Sequence, residues 1–287
     1  MMKRLSIAAL VLVGLALMVL YWLGGGGLGE YWGPGEPRNA PLDAVLIDSR
    51  VEAQLSAADE IGVSRSKQIL FGDLHVHSTF SLDAFMMALP TGGGEGAHPV
   101  ADACDFARHC SALDFWSIND HAVSLTREIW DDTIDAIRQC NDVASDPQNP
   151  DVSAFLGWEW TQMGTNPDNH YGHKNVIIRG LADDEIPTRA IAARPPADAF
   201  DRQAGQQPGR LVRGIGALVR PTQDTWDLIR YFDRMLGVPE CPDGVPVRDL
   251  PDDCRESTLD PAGLFSKLDD WGLDSMVIPH GTTWGYY

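Results

Sequence analysis

Five short apolar runs recur between residues 68 and 281: "QILFGDLHV", "LDFWSIND", "SAFLGWEWT", "HKNVIIRG" and "SMVIPHG". Other segments, "VADACDFARHCSA" and "TREIWDDTIDAIRQCNDV", space their apolar residues at helical intervals. "DPAGLFSKLDDWG" adds an Asp, a Pro in the first turn and a closing Gly. This alternation predicts an α/β domain with a largely parallel sheet. Residues 182–260 are less regular. There "AARPPADAFDRQAGQQPGR" reads as a surface insertion, and "TWDLIRYFDRML" as a helix inside it. The sequence has no internal repeat, no Walker-type phosphate loop and no G-x-G-x-x-G after a strand, so nothing in it supports nucleotide binding.

Ahead of the domain, Lys3 and Arg4 lead into an apolar run over residues 5–23 that is long enough to cross a bilayer as a helix. The basic pair keeps that end cytoplasmic, while Tyr21 and Trp22 suit the far interface. An uncleaved anchor is favoured over a cleaved signal, whose apolar core is usually shorter; no A-x-A site precedes "GGGGLGEYWGPGEP". Residues 1–23 are therefore a membrane anchor or signal segment, and 24–42 a Gly/Pro-rich linker. Residues 43–287 are an exported domain on the periplasmic or extracellular side.

Export makes disulfides available to the five cysteines. Cys241 and Cys254 bracket a turn-rich loop that a disulfide can staple, and Cys110 and Cys140 can also pair, leaving Cys104 over. Without a C-x-x-C spacing, a cysteine-based zinc site is not expected. The chain carries 41 acidic against 22 basic residues, a net charge of -19, which repels nucleic acid. The partners expected are a small-molecule substrate and, through the N-terminal helix, a membrane.

Most of the eight histidines stand at or near the C-terminal ends of the candidate strands, where barrels and open parallel sheets build their sites. His75 and His77, one residue apart on a strand, project to the same face and can clamp a divalent metal. Asp83 either offers an oxygen ligand or serves as a helix N-cap or turn residue. His121 closes "FWSINDH" beside Asp120, which either orients it or makes a structural bond. Glu159 lies between Trp158 and Trp160. In that apolar setting it needs a cation or hydrogen bonds, unless strand alternation turns it to solvent. Of His170 and His173, one is expected to function and the other to bond within its loop, with Lys174 alongside as a contact for substrate anion. His280 closes its run just before Gly281, which lets the backbone turn. His98 and His109 read as an ordinary loop residue and a helix-face residue.

In order, "DLHVHS", "NDH", "GWEW" and "IPH" resemble motifs of the polymerase-and-histidinol-phosphatase (PHP) superfamily of metal-dependent phosphoesterases, in an exported branch. "NDH" stands where that family usually has Thr-Asp-His. The resemblance runs from about Gln68 to the C-terminus and is weakest over 182–260. It implies a distorted (β/α)7 barrel holding two or three divalent metal ions, commonly zinc, manganese or iron. His75 and His77 would hold one ion, Glu159 would bridge it to a second, and His280 would ligate that second ion. His121, with Asp83, would help hold a third; His173 is a further candidate ligand. The family's later Asp-x-His motif is absent, and the chain stops at "HGTTWGYY" after the fifth run. Five strands cannot close a barrel of seven. The expected fold class is α/β, a partial distorted (β/α)7 PHP-type barrel from an incomplete sequence carrying part of the site.

The implied activity is hydrolysis of phosphate or related esters through metal-activated water, with Glu159 at the metal bridge. His170 or Lys174 would bind the anion or protonate the leaving group. Two other readings remain open. An amidohydrolase-like barrel also begins with H-x-H and would cleave C–N or lactone bonds; a non-catalytic envelope protein would only bind metal or a partner. The strand-borne Glu159 and the Asn-Asp-His segment favour the phosphoesterase.

Overall fold

The structure, a computed structural model, describes residues 2–63, 69–144, 150–194 and 208–281. Most of "AARPPADAFDRQAGQQPGR" and the C-terminal "TTWGYY" lie outside the described residues. The N-terminal run forms helix α1 (Met2–Gly24), apolar enough to span a membrane or to serve as a signal sequence. Residues 25–42 run across the domain surface. Tyr31 stacks on Phe80 and donates to the Asp132 carboxylate, and Trp32 packs on Phe85. Asp43 then caps α2 (Ala44–Glu60), which buries none of its side chains.

Each of the five apolar runs contains a strand. β1 (Gly72–Val76), β2 (Phe115–Ile118) and β3 (Ser153–Gln162) pair in parallel. The β1–β2 crossover holds α3 (Leu82–Ala88) and α4 (Val100–Asp105), and the β2–β3 crossover holds α5 (Arg127–Asp142). Such lengths are what a parallel connection requires. β4 (Gly172–Ile178) departs from the largely parallel sheet expected, because it runs antiparallel to β3. The loop joining them is too short to carry a crossover, so the chain must fold back on itself.

β5 (Ile191–Ala193) and β6 (Glu256–Thr258) form a small separate parallel sheet behind β3. Between them lie helices α6 (Arg210–Val219) and α7 (Gln223–Leu236), so residues 182–260 are more ordered than their composition suggests. α8 (Pro261–Trp271) begins at the Asp260 cap and closes on Gly272, whose φ of 70° is left-handed. It leads into β7 (Ser275–His280), which pairs antiparallel with β4. The main sheet, in order β1-β2-β3-β4-β7, curls into a half-barrel. Reversal of β4 puts its N-terminal end on the same edge as the C-terminal ends of the other four strands.

β3 is buried on both faces. Trp158 meets Trp130 of α5 edge-on at 5.6 Å, and the Trp160 indole donates to Thr258 Oγ1. Strand alternation then turns Glu159 to the concave face. Cys241 and Cys254 are bonded as expected. The second disulfide joins Cys104, not Cys110, to Cys140. Cys104 lies on the inward side of α4 beside α5, whereas Cys110 is exposed and free.

Candidate metal centre

Every strand of the half-barrel, or the loop at its end, sends a side chain toward Glu159, which is 1% exposed. β1 contributes His75 and His77, whose Nε2 atoms lie 3.0 and 3.3 Å from Glu159 Oε2. β7 brings His280 Nε2 to 3.3 Å of the same oxygen. Facing Oε1 are His173 Nδ1 at 2.6 Å and His121 Nδ1 at 3.2 Å. His173 stands at the start of β4, opposite Thr161 of β3 on one side and His280 of β7 on the other. His121 follows β2 and forms a bridge to Glu159 itself.

Asp83 enters from the first turn of α3, with Oδ2 3.3 Å from His121 Nε2. The ligand atoms of His75, Glu159 and His280 all fall within 4.8 Å of one another, as do those of His77, Asp83 and His121. His75 falls in one group and His77 in the other, while both rings also meet at Glu159 Oε2. Glu159 belongs to the first group and also touches the second, through His77 at Oε2 and His121 at Oε1.

A carboxylate offers about four lone-pair sites, and a neutral imidazole has only one N–H to donate. Five rings pressed on one buried carboxylate cannot all be its donors. Both nitrogens of His280 and Nε2 of His173 are buried with no hydrogen-bond partner among the described residues. Lone pairs gathered this way repel unless protons or a cation lie among them. A mixed imidazole and carboxylate set suits zinc, manganese or iron.

The proton affinities of these groups reflect the same crowding. Burial pushes the Glu159 carboxyl up, but hydrogen bonds from His121, His173 and His77 outweigh it and hold the group far below the ordinary range. Asp83 is also lowered: burial raises it, and His121 more than reverses this. Burial opposes protonation of His121, yet Asp83 and Glu159 raise it to about 9. His280 is lowered, chiefly by burial.

Two hydroxyls aim the rings. Thr161 donates to Glu159 Oε1 at 2.7 Å and lies against His121 Nδ1, turning His121 Nε2 toward Asp83. Ser81 accepts the His121 backbone N–H at 3.0 Å and sits 2.9 Å from His77 Nδ1. Sequence reading passed over both, although Thr161 is two residues from Glu159 and so shares its face. Asp120 makes a structural bond: it accepts from the Ser78 backbone and hydroxyl, and burial raises it to about 6.

His75, His77, Asp83, His121, Glu159, His173 and His280 are thus brought together, whereas Lys174 turns to the other face of β4. His170 accepts from the Gly164 N–H of its own loop at Nδ1 and meets the carbonyl of Gly281, just after His280, at Nε2. Lys174 follows His173 on β4 and so points to the opposite face. Its ammonium donates to the Tyr171 carbonyl and lies 5.1 Å over the Trp160 ring. His109 is exposed, and the exposed His98 lies 3.8 Å from Asp102. No family model, curated protein or solved structure matches the chain.

Proposed function

We propose that this chain is a membrane-anchored, exported metal-dependent hydrolase of PHP type, acting on phosphate or related esters of small molecules. The observation that carries the reading is Glu159, a buried carboxylate with five imidazole nitrogens within 3.3 Å. The order of the motifs along the chain supports the family, and the two disulfides support an exported domain.

His75, Glu159 and His280 would hold one divalent ion, and His77, Asp83 and His121 another, with His173 beside them. Ions held there supply acidified water and neutralise charge on an ester oxygen. The protein's own part is to keep Glu159 ionised where the two groups meet and to fix the rings through Thr161 and Ser81. His75 and Asp83, the half-exposed members, mark the open side. From there a cleft of about 740 Å³ runs along the outer edge of β1, lined by His75, His77, His98 and Asp102 among others, and leaves room for a substrate.

The test is metal content and turnover of generic phosphomonoesters, phosphodiesters and sulfate esters, before and after chelation. Hydrolysis should disappear with the metal and return on its addition. Glu159→Gln should lower turnover by at least roughly 100-fold while the protein still folds. Turnover indifferent to chelation would remove the proposal.

A further inference from the structure

We infer that α6 is a second membrane-contacting element, docked on α1 with its outward face in the lipid of the leaflet nearest the domain. The inference is independent of the metal centre. In a water-soluble protein a surface helix turns its apolar side inward. α6 does the reverse. Leu211, Val212, Ile215, Leu218 and Val219 fall on one side of the helix and are 41% to 81% exposed. Arg213, Gly214 and Ala217 lie on the other side, toward the protein. Arg210 and Arg213 both pair with Asp233 of α7, and Arg210 also lies 5.1 Å over the Tyr21 ring. Gly214 and Ala217 are buried.

The inward side is shaped to α1. A Cβ on Gly24 would overlap the Arg210 carbonyl, and one on Gly214 would overlap the Leu20 carbonyl. These two contacts step four residues along each helix in opposite directions, so α6 runs antiparallel beside the C-terminal half of α1. Close approach over small residues is how helices associate in lipid. α1 exposes apolar side chains such as Leu15, Leu17 and Met18 along the same half. The stripe on α6 continues that surface, which selects lipid as its occupant. The close seat of Gly214 on Leu20 and of Gly24 on Arg210 is lost if α1 is removed, so the pairing also favours a retained anchor over a cleaved signal.

Nitroxide labels at Ile215→Cys and at Leu218→Cys, each in a Cys110→Ser background, test this in the full chain reconstituted in phosphatidylcholine vesicles. Both positions face outward, so neither label displaces a packed side chain. Collisional access to oxygen should exceed access to an aqueous nickel chelate several-fold at both. The order should reverse at Glu52→Cys on the exposed α2. Nickel access at 215 and 218 equal to that at 52 would overturn the inference. So would dipolar broadening between labels, which would put a second copy on the stripe, or a membrane-extracted protein that has lost residues 1–24.

Discussion

At the scale of single residues, the site is a problem in proton placement. His121 holds its proton up to about pH 9 because Asp83 and Glu159 outweigh burial. A metal ligand must be neutral, so binding at pH 7 has to expel that proton. Apparent metal affinity should therefore climb by up to about tenfold per pH unit from this group, levelling off near pH 9. The stability of the metal-free protein should move the other way. His121 is raised from 6.5, so its contribution is complete below pH 6.5 and lost as pH rises through about 9. Calorimetric titration with zinc in buffers of different ionisation enthalpy measures the released protons directly. Uptake at pH 7 with no proton released would show that His121 is not a ligand.

Elements decide which of the sequence's candidates reach the site. Alternation within a strand is certain once its register is known, and Lys174 is excluded because His173 faces inward. Lys174→Met should leave metal content and turnover within about twofold. It should change stability by no more than roughly 1–2 kcal/mol, since the bond to the Tyr171 carbonyl is lost while a buried charge is relieved. Chemical denaturation and the ester assay check both parts; a tenfold fall in turnover with metal retained would return Lys174 to the substrate. The five strand cores were legible because apolar runs and flanking turns mark them locally. So was α8, with its Asp260 cap and terminal Gly272. The short loop between β3 and β4 already called for an antiparallel pair, but the pairing of β4 with β7 was not legible because β7 is remote in sequence. Without that pairing, nothing local separates His173 from His170 or brings His280 to Glu159. α6 was missed because Gly214 and Gly216 interrupt its apolar spacing and its first residues follow a Gly/Pro/Gln-rich stretch.

Across the whole molecule, the disulfides tie compartment to stability. Cys104–Cys140 joins α4 to α5, the two helices flanking β2 in the chain, and closes a loop of 36 residues. By loop-closure entropy such a link is worth roughly 3–4 kcal/mol. The Cys110–Cys140 alternative would have needed an exposed thiol to turn back through the helix layer. Non-reducing peptide mapping should therefore recover Cys104 linked to Cys140 and leave Cys110 open to alkylation. Cys104→Ala with Cys140→Ala should lower unfolding free energy by about that amount, whereas Cys110→Ser should stay within about 0.5 kcal/mol. A bridge of this kind persists in an oxidising compartment, which under the proposed export is the side opposite Lys3 and Arg4. Protein made in a reducing cytosol without its membrane segment should then show the lower stability of the double variant. Equal stability of the reduced and oxidised proteins would mean that the helix layer holds α4 against α5 without the bond.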